Sequence, residues 1–199
     1  YGGGATDTNG ELILSNQAAI TKQGHAISIA IDKILDATGK SKVILIGHSM
    51  GGLAIREYLQ NTSDNNVAKL ITVGTPHCGS DIELLGAGSI IADFVDSSID
   101  PQSEAVRDLR SSYDIAVFDA TPGVYLWGGE ESQDYMDDNV LQNWYNVDVN
   151  CNGMIGENID GLNEKSIYNN LEYACIWDTD DLVVNVTNMG WGFQGDESG

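Results

Sequence analysis

The sequence of 199 residues has few basic side chains, few cysteines and no long apolar run. Nine Lys+Arg residues against 30 Asp+Glu residues give a formal net charge of −21, which argues against binding nucleic acid or anionic lipid through a basic patch. No apolar run approaches the roughly 20 residues that cross a bilayer, so we expect no integral membrane segment. A surface this acidic is common in secreted or salt-exposed proteins, and we expect an extracellular protein.

Three cysteines are too few for a disulfide-rich scaffold, and none lies in a Cys-x-x-Cys zinc pattern. Cys151 and Cys175 lie in the same late segment, so two arrangements are open. Either these two form one disulfide in an oxidising compartment, or all three cysteines are buried thiols. Hydrophobic residues make up 42% of the chain, which is enough for a sizeable core.

Helical and extended patterns alternate in the first part of the chain. Residues 1–16 are rich in Gly, Thr and Asn and predict a loop, whereas residues 15–38 carry apolar side chains at helical spacing. Residues 43–46 and 69–73 are apolar runs without polar alternation, which predict strands buried on both faces, with a helix between them. This order predicts an α/β fold with a mainly parallel sheet flanked by helices.

The later sequence is less regular. Its patterns predict the end of a helix at residues 108–113 and strands at residues 124–127 and 172–177. Residues 128–170 are rich in Asn, Asp, Glu and Gly, and predict an irregular insertion. No linker or internal repeat divides the chain, so we interpret residues 1–199 as one domain or as a piece of one.

The pentapeptide formed by residues 47–51 fits Gly-x-Ser-x-Gly, directly after one predicted strand and directly before a predicted helix. So tight a reversal puts Ser49 in a strained backbone conformation, and we expect Gly47 and Gly51 to leave space where a Cβ would clash. The Ser49 hydroxyl would then stand at the helix N-terminus, where the N–H of Met50 can bind a developing oxyanion. The alternative is a Gly-rich turn in which Ser49 only caps the helix.

Residues 43–56 (VILIGHSMGGLAIR) and 73–80 (VGTPHCGS) together resemble the α/β-hydrolase superfamily and, within it, bacterial triacylglycerol lipases and esterases. The resemblance implies an α/β-hydrolase fold that is incomplete at both ends of residues 1–199. The remaining N- and C-terminal parts of the same domain would then be its packing partners. In the family the region corresponding to residues 81–123 often forms a mobile lid; the alternative for its apolar residues is an ordinary core helix.

The resemblance implies a Ser-Asp-His triad with Ser49 as the nucleophile and Met50 as the source of the oxyanion amide. The acid matches Asp181, although Leu182 replaces the glycine of the family pattern, and Asp180 is the alternative register. A solvated acidic turn is the simpler alternative for both aspartates.

The histidine of the triad has no match in the sequence. The three histidines, at positions 25, 48 and 77, all precede the acid, whereas the family's base follows it. We therefore expect the base beyond residue 199; the alternative is an inactive member of the family.

A calcium loop is a second candidate site. Oxygen-bearing side chains at Asp148, Asn150 and Asn152, followed by Gly153, repeat the opening of such a loop, in which alternate residues converge on one hard cation. Asp160 lies one place beyond the expected last ligand. The alternative is a polar loop, and the chemistry itself requires no cofactor.

These observations predict a serine carboxylic-ester hydrolase, a lipase or esterase, acting on a lipid or other ester through an acyl-enzyme. Two alternatives remain open at this stage, because a fold does not fix a function. One is a non-catalytic binding module on a hydrolase scaffold, and the other is an acyltransferase or thioesterase that uses the same nucleophile.

Overall fold

The computed structural model describes residues 18–63, 66–80, 103–110, 123–130, 148–166 and 171–177, together with two short strands near the start of the chain. Most of the expected lid region and the segment after residue 177 lie outside the described residues. In chain order the elements are β1 (Ala5–Thr6), β2 (Leu12–Ile13), α1 (Ile20–Thr38), β3 (Val43–His48), α2 (Met50–Gln60), β4 (Val67–Val73), α3 (Glu104–Asp108), α4 (Val124–Trp127), β5 (Gly129–Glu130), β6 (Asn158–Ile159) and β7 (Glu172–Ile176).

The main sheet has three strands in the order β3-β4-β7, and both neighbouring pairs are parallel. Because all three strands run in one direction, their carboxyl ends meet at one edge of the sheet. In the register, His48 pairs with Val73, and Val73 pairs with Ile176. The predicted parallel sheet and its three strands are therefore present, and the end of each strand reaches the edge at which Ser49 lies.

Helix α1 begins at Ile20, not near residue 15 as the apolar spacing suggested, and ends where predicted. Gly39 adopts a left-handed conformation (φ 64°), and its N–H donates to the Leu35 carbonyl at 2.8 Å, which closes the last turn. Residues 1–16 are not wholly loop either, because β1 and β2 pair antiparallel. Among the described helices, none is both long enough and apolar enough to span a membrane.

Helices α1 and α2 pack against each other, and α2 packs on one face of the sheet. The buried side chains between these layers form two clusters, one near the turn of residues 47–52 that leads into α2 (the elbow) and one around the later turns of α2. The two clusters supply most of the apolar burial that stabilises this part of the fold. The first contains Ile20, Leu53, Ala54, Leu109, Tyr125, Leu126, Val149 and Leu162, and the second contains Ile31, Ile55, Tyr58, Leu59, Val67, Leu70 and Leu171.

The prediction that the strand of residues 43–46 is buried on both faces is wrong for the described part of the chain. Ile44 and Ile46 are 57% and 67% exposed, whereas Val43 and Leu45 on the opposite face pack against the second apolar cluster. An unbroken apolar run does not reveal which face the next element covers, because it carries no alternation.

Residues 124–127 form the short helix α4 rather than the predicted strand. The Gly128 N–H donates to the Val124 carbonyl at 2.9 Å, and the Tyr125 hydroxyl donates to Glu57 Oε2 at 2.9 Å. These contacts outweigh the strand preference of Val and aromatic residues, which is weak and depends on context. Within residues 128–170, β5 and β6 pair antiparallel, so the insertion contains a small sheet.

Candidate active site

Ser49 is the single residue between β3 and α2, so strand, turn and helix follow one another as the pentapeptide predicts. Its backbone has φ 52° and ψ −136°, a conformation that costs a non-glycine residue about 1–3 kcal/mol. Two hydrogen bonds hold it there: the Ser49 N–H donates to the Val73 carbonyl at 2.9 Å, and the Gly52 N–H donates to the Ser49 carbonyl at 3.0 Å. The half-buried Ser49 therefore stands on a strained turn at the carboxyl edge of the sheet.

Two glycines make this turn possible, and the sequence identified one of them. A Cβ at Gly47 would lie 2.6 Å from the Cα of Gly52, so the first turn of α2 crosses the end of β3 at backbone contact. A Cβ at Gly52 would overlap the side chain of Thr75. Among the described residues, a Cβ at Gly51 would meet no atom within 4 Å, so the expectation that Gly51 leaves necessary space is wrong for this part of the chain. The doubled glycine in the sequence was the signal that could have identified Gly52.

The N-terminus of α2 provides donors beside Ser49. Met50 and Gly51 belong to the first turn, where N–H groups have no carbonyl of their own helix to bind, and the helix dipole adds positive potential. The first turn of α2 contains no acidic side chain that would compete for these groups. This arrangement can stabilise the negative charge that develops on a carbonyl oxygen when the Ser49 oxygen attacks the carbonyl carbon.

None of the three histidines has the properties of a base for Ser49. His25 is exposed on α1, and His48 is exposed at the end of β3. His77 is 1% exposed, and its ring contacts Arg56 through Nδ1 (3.3 Å) and Thr72 through Nε2 (3.1 Å). Burial, assisted by the Arg56 charge, lowers the pKa of His77 to about 3, so the ring is neutral near pH 7.

Arg56 is a buried charged residue for which no role was predicted, and its contacts in the structure are structural. Its side chain is fully buried, and burial lowers its pKa to about 9. It donates to the Leu162 carbonyl at 3.1 Å and to Asn163 Oδ1 at 2.9 Å, besides its contact with His77. The cation thereby fastens Leu162 and Asn163 to the middle of α2.

The acid candidates Asp180 and Asp181 lie outside the described residues. The strand that precedes them is described: β7 lies parallel to β4, and the Gly74 N–H donates to the Ile176 carbonyl at 2.9 Å. The chain therefore leaves β7 at the same sheet edge at which Ser49 stands, two strand positions away. That edge is where open α/β sheets carry their sites.

The calcium loop has a shape that its own hydrogen bonds explain. The Asp148 carboxylate accepts from the backbone N–H groups of Asn152 (3.0 Å) and Gly153 (2.6 Å), and the amides of Asn150 and Asn152 both donate to Glu157 Oε1. The partner of the opening residues is thus Glu157, and no described contact brings in Asp160. Within the described ranges, no group of three or more His, Cys, Asp or Glu residues is arranged to hold a metal. The calcium site stays a prediction.

The disulfide between Cys151 and Cys175, one of the two arrangements that the sequence left open, is not formed, because all three cysteines are free. Cys151 and Cys175 are both exposed, so the alternative of three buried thiols is wrong as well. Cys175 lies on β7, where its Sγ is 3.2 Å from the Thr72 hydroxyl, whereas Cys151 lies in the loop described above. Sequence proximity did not bring the two thiols together.

Residues 20–119, half of the chain, match the family model described as the alpha/beta hydrolase fold. The chain belongs to the alpha/beta hydrolase fold family. The matched residues include β3, Ser49, α2 and β4, and the family's fold agrees with the parallel sheet and flanking helices observed here. The predicted resemblance and fold class are thereby confirmed.

Individual relatives of this alpha/beta hydrolase are bacterial lipases. Over 73 residues, the chain is 44% identical to a triacylglycerol lipase of Pseudarthrobacter phenanthrenivorans (37% of this chain and 20% of that protein). The identity to a triacylglycerol lipase of Burkholderia plantarii is also 44% over 73 residues (37% and 18%). A crystal structure of Bacillus licheniformis lipase BlEst2 with its propeptide is 28% identical, covers 52% of this chain and 24% of that one, and has a TM-score of 0.40. The chain spans about a fifth of the length of the curated relatives it matches.

Proposed function

We propose that this alpha/beta hydrolase is a serine carboxylic-ester hydrolase, a lipase or esterase, in which Ser49 is the nucleophile. The observation that carries the proposal is the conformation of Ser49. Ser49 has a φ of 52°, is held by hydrogen bonds on both sides and lies at the N-terminus of an 11-residue helix. Backbone strain of this kind is typical of functional sites, and a purely structural turn does not require it. A turn that only capped the helix would use the Ser49 side chain as an acceptor, and that side chain makes no capping hydrogen bond.

The proposed reaction is acyl transfer in two steps. The Ser49 oxygen attacks the ester carbonyl carbon while its proton passes to a base, and the carbonyl oxygen becomes an oxyanion beside the Met50 N–H. The carbon–oxygen bond of the ester then breaks, the base returns the proton to the departing alcohol, and an acyl-enzyme remains. Water activated by the same base hydrolyses the acyl-enzyme and regenerates the Ser49 hydroxyl.

The base in this proposal is a histidine outside the three in this sequence. His77 is excluded by its burial and by its contacts with Arg56 and Thr72. His25 and His48 are exposed, and within the part of the chain that the structure describes no hydrogen bond orients either ring towards Ser49. We assign the acid role to Asp181, with Asp180 as the alternative register. Support comes from β7, which delivers the chain to the sheet edge just before these residues.

The proposed substrate is a lipid ester, and the proposed location is extracellular. Support for the substrate comes from the relatives named triacylglycerol lipases. Support for the location comes from the net charge of −21. The acidic surface also favours neutral over anionic esters, because like charges repel at long range.

Steady-state hydrolysis of p-nitrophenyl esters by the full-length protein and its Ser49→Ala variant tests the proposal. We expect kcat to fall by roughly 10⁴-fold or more in Ser49→Ala, as for other enzymes that lose a nucleophilic serine. A burst of p-nitrophenol equal to the enzyme concentration would report the acyl-enzyme. Equal activity of the two proteins, or ester binding without turnover in both, would overturn the proposal and favour a binding module.

A further inference from the structure

Thr75 is a buried residue whose hydroxyl has no evident use in the fold. It follows β4 at the carboxyl edge of the sheet, and it is 3% exposed. Within the described residues, Thr75 Oγ1 has no hydrogen-bond partner. Thr72 lies on β4 and is about as buried as Thr75, but its hydroxyl contacts His77 Nε2 at 3.1 Å and Cys175 Sγ at 3.2 Å. Since an unpaired buried hydroxyl is destabilising, its presence at position 75 calls for another explanation.

The Thr75 side chain faces Gly52, the third residue of α2. A Cβ at Gly52 would overlap Thr75 Oγ1 and lie 2.7 Å from Cγ2 and 2.9 Å from Cβ, so every branch of the threonine lies against this glycine. The oxygen is the nearest of these atoms and lies along one Cα–H bond of Gly52, the arrangement of a weak Cα–H···O contact. Thr75 therefore bears directly on the backbone of the first turn of α2.

The same turn fixes Ser49. The Gly52 N–H donates to the Ser49 carbonyl at 3.0 Å, and the Ser49 N–H donates to the carbonyl of Val73, two residues before Thr75. The end of β4 and the residues after it thus hold the elbow at two points. The Val73 carbonyl accepts the hydrogen bond from Ser49, and Thr75 contacts Gly52. A shift of the Gly52 backbone would move the Ser49 carbonyl, and with it the direction of the Ser49 side chain.

We infer that Thr75 is a positioning residue, whose hydroxyl oxygen holds Gly52 and thereby orients the Ser49 hydroxyl and the Met50 N–H for attack on the ester. The inference rests on the proposed function. A hydroxyl oxygen is smaller than a methyl group, so threonine lies closer to Gly52 than valine could. Alanine would leave the space beside Gly52 empty. The residue touches neither substrate nor reacting atoms in this account, and acts only through the backbone of α2.

The test compares Thr75→Ser, Thr75→Val and Thr75→Ala in the full-length protein. The measurements are the second-order rate of covalent labelling of Ser49 by a fluorophosphonate, kcat and KM for ester hydrolysis, and the melting temperature. We expect Thr75→Ser to label within about threefold of wild type, and Thr75→Val and Thr75→Ala to label about tenfold to a hundredfold more slowly. The loss should appear in kcat rather than KM, because the elbow acts on the reacting carbonyl.

Stability separates positioning from a merely structural role. Thr75→Val removes an unpaired buried hydroxyl but puts a larger methyl group against Gly52, and these two effects on stability oppose each other. Its melting temperature should therefore stay within a few degrees of wild type even though its labelling is slow. Thr72→Val is the matched control, since it breaks the contacts of an equally buried threonine. It should melt at a lower temperature and label within about twofold of wild type.

The outcomes distinguish this inference from the proposed function. If wild type is not labelled at Ser49, the proposed function fails and the role of Thr75 fails with it. If wild type is labelled and Thr75→Val reacts as fast, only the role of Thr75 is overturned. Should Thr75→Val not fold, Thr75→Ser decides, because a rate as low as that of Thr75→Ala would show that the oxygen does not hold the elbow.

Discussion

The elbow and the segments docked on α1 and α2 are held in place by different means. At the elbow, backbone lies against backbone: the first turn of α2 crosses β3 where neither Gly47 nor Gly52 has a side chain. By contrast, residues 104–108 and 161–165 are docked by polar side chains. Asp108 accepts from the Ile20 N–H at 2.8 Å, and Arg56 donates to the Leu162 carbonyl at 3.1 Å.

This difference decides which substitutions each region tolerates and whether a local sequence pattern predicts the region. Backbone contact admits almost no substitution, so it produces a short, fixed motif. Docking by long side chains joins residues about a hundred positions apart and fixes no local pattern.

Alanine at the three glycines of the elbow should separate backbone contact from open space. Gly47→Ala and Gly52→Ala should each lower the free energy of unfolding by about 3 kcal/mol or more, since the new Cβ meets backbone or the Thr75 side chain. Gly51→Ala should be neutral or stabilising by up to about 1 kcal/mol, because the new Cβ meets no neighbour in the described ranges and alanine favours the helix. Urea unfolding measures all three, and equal losses would contradict the account.

Arg56→Ala should loosen the segment of residues 161–165 on α2, which Gln60 continues to hold through the Leu162 and Lys165 carbonyls. We expect the free energy of unfolding to fall by about 3 kcal/mol, because the Leu162 carbonyl and Asn163 Oδ1 lose a buried donor. Hydrogen exchange should rise in residues 161–165 while β3 stays protected. Lys165→Ala, at an exposed contact with Asn61, is the control and should change stability by less than about 0.5 kcal/mol. Uniformly faster exchange in Arg56→Ala would argue against local docking.

The docking of α3 should depend on pH through Asp108. Burial raises the pKa of Asp108 to about 6 from its ordinary value of 3.8, despite the opposing effect of Arg107. A raised pKa in the folded state means that the protonated form stabilises the fold fully below about pH 4 and that this contribution is lost as pH rises through 6.

Asp108→Asn removes that titration. Measured against wild type, the variant should gain about 2–3 kcal/mol of relative stability between pH 4 and pH 7, at 1.36 kcal/mol per pKa unit. Chemical unfolding of both proteins across this range provides the measurement. A difference between the two proteins that stays constant with pH would show that Asp108 titrates at its ordinary pKa.

The Lys69–Glu172 ion pair should contribute little, although it joins β4 to β7 at 2.6 Å. Both side chains are at least half exposed, so solvent screens their attraction. Lys69→Met should change the free energy of unfolding by less than about 0.5 kcal/mol. Added salt should change the difference in stability between variant and wild type by no more than that amount. A loss above 1 kcal/mol would show that side chains as well as backbone hold the sheet together.

The sequence predicted the parts of the molecule whose cause is local. The strands β3, β4 and β7, the end of α1 at Gly39 and the turn at Ser49 each follow from a few adjacent residues. The motif also indicated that space was needed beside Ser49. It could not indicate that Gly52 supplies this space rather than Gly51, because that depends on where Thr75 lies.

The features that the sequence did not predict depend on distant partners. Residues 124–127 have strand-forming side chains, yet they form a helix in which Tyr125 reaches Glu57. The roles of Arg56 and Asp108 follow from acceptors and donors about a hundred positions away. Similarly, the late cysteines share a segment and remain apart. No local spacing encodes contacts of this kind, and only the assembled fold shows them.

The central claim is that the strained turn makes Ser49 a nucleophile. Its most direct test is to react the full-length protein with a fluorophosphonate and to map the adduct by peptide mass spectrometry. The account predicts one adduct per chain, located on Ser49, absent after heat unfolding and absent in Ser49→Ala. An adduct on another residue, or an unmodified Ser49 in protein that hydrolyses esters, would contradict it.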